Sequence, residues 1–257
     1  MAETTLGTRL TEQNRIAQLA ISRAALQELL GLWKLLDVSK LDETAAAWIK
    51  AAVALIARYR TKSVAQGLSY YHLIRSAETG EISGLPTVVV APLDEAAAQT
   101  SMLVTGPVQA KSLIKAGYTP DRAMNTALVT SAKAVQRHVL NGGRAAVVAA
   151  SLDDRKAVGW IRITDGHPCA FCALLAGRGP VYHSEKDALK ASGARGKQSV
   201  GQPYHDGCGC TAEPMFSRSA PWPRLNQQFA DLYEQSTGDT SGAGKLKAFR
   251  KAFDAAQ

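Results

Sequence analysis

Cys169-Ala170-Phe171-Cys172 and His205-Asp206-Gly207-Cys208-Gly209-Cys210 are the two stretches on which the reading of this chain turns. Together they take up all four cysteines and set a histidine beside two of them. Zinc favours four thiolate and imidazole ligands arranged tetrahedrally, and a two-residue spacer lets consecutive thiolates reach one ion from a tight turn. Two tight pairs separated by a spacer therefore read as a metal knuckle. Five candidate ligands, Cys169, Cys172, His205, Cys208 and Cys210, compete for four positions. The expected set is Cys169, Cys172 and Cys210 with either His205 or Cys208, and the spacing leaves that choice open. Disulfides are the weaker expectation. Residues 1–15 are polar, with no apolar core followed by a cleavage site, and a bridge across one residue, from Cys208 to Cys210, would be strained.

Outward from the knuckle, residues 158–164 have the half-buried character of a strand leading into the turn signal Asp165-Gly166, and residues 211–216 can return as a second strand. The metal would fix one strand against the other and close a loop of roughly 35 residues, which is costly in chain entropy to hold otherwise. Within that loop the sequence suggests a short strand at Val181-Tyr182, a helix over 185–191 and a glycine-rich basic loop over 193–197.

Upstream, Ile16, Leu19, Ala20, Leu26, Leu29, Leu30 and Trp33 recur at three-and-four spacing, predicting an amphipathic helix over 8–36 with that stripe facing the core. Asp42 is placed to cap a second helix running to about His72. Residues 87–91 could be a strand or an extended connector. Thr119 followed by Pro120 starts a further helix, which Asn141-Gly142-Gly143 is expected to stop before another begins at Arg144. Downstream come a helix over 225–233, a linker over 236–244, and a basic terminal helix over 245–256 with Leu246, Phe249 and Phe253 on one side. The expected class is α+β: a helical region over 1–157, a zinc-stapled α+β module over 158–216, and a linker and C-terminal helix over 217–257.

With 257 residues and 46% hydrophobic content the chain can bury one sizeable core or two modest ones. No stretch approaches the roughly 20 uninterrupted apolar residues that cross a bilayer, so a protein that is soluble unless assembled is expected. The net charge of +8 favours contact with polyanions and is spread along the chain, with no dedicated basic arm. Arg178, Lys186, Lys190, Arg195 and Lys197 between the ligand pairs would suit a sequence-independent nucleic-acid-binding zinc protein, although Glu185 and Asp187 interrupt them. A zinc nucleobase deaminase would place His-x-Glu ahead of the Pro168-Cys169-x-x-Cys172 element. Here His183-Ser184-Glu185 follows it, and the two later cysteines would have no role. No serine nucleophile elbow, paired carboxylates or cysteine outside the metal group suggests catalysis, so no enzymatic activity is expected. His72 and His138 read as surface or hydrogen-bonded residues, and His167 as a side chain that could orient a ligand.

The run from Trp160 to Tyr182, containing Asp165-Gly166-His167-Pro168-Cys169-Ala170-Phe171-Cys172, followed by Tyr204-His205-Asp206-Gly207-Cys208-Gly209-Cys210 and a strand with Pro214, resembles the Mu-F-like phage head morphogenesis family. It looks most like the minor capsid proteins of actinobacteriophages. One departure is Gly209, where many relatives carry a basic residue. The resemblance implies a virion structural protein in small copy number, inside the head near the portal, made in the host cytoplasm during assembly. It implies portal and/or major capsid protein as partners and packaged DNA as a further contact. It also implies a structural zinc held by four of Cys169, Cys172, His205, Cys208 and Cys210.

Overall fold

Three long helices carry the molecule. The computed structural model describes residues 2–182, 204–238, 240–242 and 244–256. In it α1 spans Thr5–Leu32, α2 spans Leu41–Thr79 and α5 spans Pro120–Asp153. Between the last two lie α3, Glu95–Leu103, and α4, Gln109–Lys115, joined by a wide π turn over Val104–Val108. Pro107 sits in that turn; it brings no backbone N–H, and the wider turn absorbs the missing bond. Helix ends follow side-chain chemistry. Thr4 accepts from the Gly7 N–H at 2.9 Å, Thr119 caps the helix that begins at Pro120, and Gly80 closes α2 at φ 70°. Asp42 lies inside the first turn of α2 and does not cap it; the residue before the helix is Lys40. Residues 87–91 form an extended connector.

Asn141-Gly142-Gly143 does not stop α5, which runs on through Arg144 to Asp153. The glycines serve close approach instead. A Cβ on Gly142 would lie 2.7 Å from the Arg60 carbonyl oxygen, and one on Gly143 2.2 Å from Gln18 Nε2. On α2, a Cβ on Gly67 would come within 2.7 Å of the Gly143 carbonyl oxygen. The backbones of α2 and α5 thus meet at these glycines, with the Gln18 side chain of α1 against them, and packing outweighs the roughly 1 kcal/mol propensity cost of each helical glycine.

The same crossing explains a second departure. α1 turns Asn14, Gln18, Ser22, Ala25 and Leu29 inward, while Ile16 and Leu30, expected in the buried stripe, are more than half exposed. Small and polar side chains suit this close contact. Gln18 donates to the Ser63 carbonyl at 3.0 Å and accepts from Ser63 Oγ at 2.6 Å, and Ser63 Oγ accepts from the Gly143 N–H at 2.9 Å. One end of the bundle is filled by Leu29, Trp48, Ile56, Met102 and Val135, with Trp33 edge-on to Trp48.

At the other end Tyr70, Tyr71, Ile74 and Val147 receive a small sheet through Trp160 and Ala212. Its strands are β1, Gly159–Ile163, β2, Val181–Tyr182, and β3, Thr211–Met215, in the order β2-β1-β3 with antiparallel neighbours. Ile161 pairs with Glu213 and Arg162 with Ala212. Helix α6, Ala170–Gly177, packs against α7, Arg224–Thr237, and α8, Gly244–Ala255, through Phe229, Phe249 and Phe253. The expected linker is therefore shorter at its start, since Ser236 and Thr237 are helical. The helix suggested over 185–191 and the basic loop over 193–197 lie outside the described residues. Among the described residues, no helix is long and apolar enough to cross a membrane.

Candidate metal centre

The sequence-predicted donors come from two places. Cys169 is the N-cap of α6 and Cys172 lies in its first turn, so a helix start presents the first pair. The second set sits on the chain entering β3. The structure brings all five together as two groups of three that share Cys172: Cys169, Cys172 and His205, and Cys172, Cys208 and Cys210. Within each group the ligand atoms lie within 4.8 Å of one another. Cys169 Sγ is 3.0 Å and Cys172 Sγ 3.2 Å from His205 Nε2, and the Cys172 and Cys208 sulfurs are 3.4 Å apart. The edges of a tetrahedral zinc site with these ligands are about 3.5 to 3.8 Å. All four cysteines are free; Cys169 is exposed, and Cys172, Cys208 and Cys210 are buried. The cluster could hold a metal ion.

The imidazole is oriented for that role. His205 Nδ1 lies 2.8 Å from the Asp206 carbonyl oxygen, which can only accept, so Nδ1 carries the proton and Nε2 keeps its lone pair facing the two thiols. Phe171, between the first two cysteines, sets its ring edge against the imidazole with centroids 6.0 Å apart.

Three turns of α5 hold the second set in place. The Gly207 N–H donates to the Lys133 carbonyl at 3.0 Å, and Asp206 pairs with Arg137. Farther along, Arg144 donates from Nη2 to the Cys208 carbonyl at 2.6 Å and from Nε to the Cys210 carbonyl at 2.8 Å, while Nη1 is held by Asn141 Oδ1 at 2.8 Å. Gly207 takes φ 78°, the left-handed conformation that lets the turn reverse against the helix. Tyr204 lies between two guanidinium groups, with Arg144 3.8 Å and Arg162 3.9 Å from its ring centroid. The two ligand segments are also tied to each other. Asp165 accepts from the Gly209 N–H at 3.1 Å and from the His167 N–H at 3.3 Å. A Cβ at Gly209 would sit 2.4 Å from Asp165 Oδ2, so a larger residue there would displace the carboxylate that ties the two segments together.

Electrostatics favour negative charge at one of the buried thiols, Cys208. Hydrogen bonds from Cys172 and then Cys210, with the Arg144 guanidinium adding to them, push the Cys208 thiol down to about 2. Cys172 moves the other way, because it keeps the proton it shares with Cys208 and Cys210. Without metal the group therefore holds a thiolate and thiol donors around it. A divalent ion would displace the remaining protons, since only thiolates are strong ligands.

Sequence reasoning found the donors and missed what holds them. Once α5 is read as continuous, Leu140, Arg144, Val147 and Ser151 fall on one face at four-three-four spacing, and a charged residue in a buried stripe is the signal that was available. His167 is exposed, and its backbone N–H rather than its ring makes the local contact. Arg178 is exposed as well. His138 is buried and hydrogen-bonded to Ser101 Oγ at 2.9 Å. His183, Glu185, Lys186, Lys190, Arg195 and Lys197 lie outside the described residues.

Comparison with known proteins gives one family. The VG15 protein family, a family of phage proteins, matches residues 5–236, and the chain belongs to it. No curated protein and no solved structure matches.

Proposed function

We propose that this phage-family protein is a structural minor capsid or head morphogenesis component of a tailed phage, of the Mu-F-like kind, with one structural zinc ion stapling its C-terminal part. The observation that carries the reading is the family match across residues 5–236, which takes in the helices and the donor cluster together. Its donors, thiolates and one imidazole, are the set zinc prefers. Four of Cys169, Cys172, His205, Cys208 and Cys210 would fill a tetrahedron and leave no position for water, so in this reading the role is structural and not enzymatic. When bound, the zinc would cross-link the start of α6 to the loop entering β3.

In this reading the protein sits inside the head and contacts portal and/or major capsid protein. Support comes from α2, whose 39 residues extend for about 58 Å at 1.5 Å per residue, and from apolar side chains left exposed on α1 and α5, among them Ile16, Leu30 and Val129. Packaged DNA is a further contact, supported by the net charge of +8.

Peptide mass spectrometry on purified virions of the encoding phage, and on heads assembled without this protein, tests the proposal. The chain should be found in particles at a few copies each, and its loss should reduce correctly assembled heads. A chain found in the infected-cell lysate and missing from purified particles would overturn the proposal.

A further inference from the structure

Arg144 joins the donor loop to the middle of α5. It is 4% exposed, in the middle of α5, with no carboxylate among its described hydrogen-bond partners. A buried guanidinium is costly to desolvate, so its position calls for compensation by a nearby negative charge or a set of well-formed hydrogen bonds. Three of its nitrogens are satisfied in the guanidinium plane. Nη2 and Nε reach the carbonyls of Cys208 and Cys210 at 2.6 and 2.8 Å, and Nη1 reaches Asn141 at 2.8 Å. One planar fork thus grips both peptide units that set the directions of two thiols. Its face stacks on Tyr204, the residue just before His205, at 3.8 Å from the ring centroid.

We propose that Arg144 is the positioning residue of the metal centre: its fork presets the Cys208-Gly209-Cys210 turn, and its charge offsets the excess negative charge of a thiolate-rich site. The inference rests on the metal-centre reading above. Three or four thiolates around a divalent ion leave a net charge of minus one or minus two, and a buried cation within hydrogen-bonding reach of the ligand peptides lowers the cost of holding it. The fork matters separately from the charge, because lysine supplies a point charge without two parallel donors. Arg144 therefore also couples the metal to α5, through which the donor loop meets the helical layer.

The test measures zinc affinity by chelator competition, and the visible spectrum of the cobalt(II)-substituted full chain, for wild type, Arg144→Met, Arg144→Lys and Asp154→Asn. The last variant lowers stability at the far end of α5 without touching the donor loop. Arg144→Met should keep its helical circular dichroism, bind zinc at least tenfold more weakly and shift the cobalt spectrum. Arg144→Lys should recover part of that loss, and Asp154→Asn should bind as wild type does. Wild-type affinity and spectrum in Arg144→Met, or equal weakening in Asp154→Asn, would overturn the inference while leaving the metal centre standing. A wild-type chain that binds no zinc would overturn both. Should Arg144→Met fail to fold, Arg144→Lys decides alone: a several-fold loss supports the fork, and wild-type affinity overturns it.

Discussion

At Cys172 the two donor groups meet, and its sulfur neighbours both His205 and Cys208. Cys169 belongs to one group only and is exposed. Unequal consequences follow. Cys172→Ser should cost more metal affinity than Cys169→Ser, because it removes a donor from both groups and Cys169→Ser from one. Metal content after dialysis against a weak chelator separates the two. A second residue sets a pH limit. Burial, and then the neighbouring Arg137 guanidinium, pushes His138 down to about 4, and its Nε2 accepts from Arg137 Nη2 at 3.3 Å. The unfolded chain, near the ordinary value of about 6.5, therefore takes up the proton first as pH falls. Stability is unaffected above about 6.5 and is lost from there down to about 4, by on the order of 3 kcal/mol for this one group. Urea midpoints measured across that range should fall in wild type and fall less in His138→Gln. These residues show the limit of the sequence: two cysteine pairs announce themselves by spacing, but nothing in spacing reveals that Asp165 reaches Gly209, or that His138 is buried beside an arginine.

Helix α5 illustrates the same limit one level up. Asn141-Gly142-Gly143 carries a strong local stop signal, and the helix ignores it because α2 crosses α5 at that point with almost no space between backbones. Local propensity of about 1 kcal/mol per glycine is outweighed by tertiary packing that the sequence does not display. Substitutions should therefore have opposite signs in different helices. Gly143→Ala, whose Cβ would meet Gln18 Nε2 and the Ser63 carbonyl at 2.2 and 2.9 Å, should cost about 1 to 3 kcal/mol through overpacking. Gly31→Ala, exposed in α1 with nothing within 4 Å, should stabilise by up to about 1 kcal/mol. Denaturant unfolding of both variants checks the pair. At the joint between α2 and the end of α5, Asp154 accepts from Tyr71 Oη at 2.9 Å and Arg75 Nε at 2.7 Å, all buried. Asp154→Ala leaves Arg75 with only the half-exposed Glu81 carboxylate, 3.6 Å from Nη2, and should cost roughly 3 kcal/mol. By contrast, strands β1 and β3 and the capped start of α5 were legible, because turn signals, β-branched runs and a Thr-Pro pair act locally.

Across the whole molecule, β3 is anchored at its entry and at its middle. Arg144 and Arg137 fasten the loop that enters it, and the buried Glu213 within it accepts from the Ala2 N–H at 2.5 Å. Metal bound at that loop would stabilise the fold through the same contacts, since an ion that binds only the folded state adds its binding free energy to folding. In the function proposed above, a structural zinc staples α6 to the loop entering β3. Elemental analysis of protein purified under reducing conditions, with thiols counted before and after chelation, tests it most directly. About one zinc per chain is expected, with thiols that become reactive only once the chelator is added. Protein without metal, whose four cysteines titrate freely from the start, would contradict it.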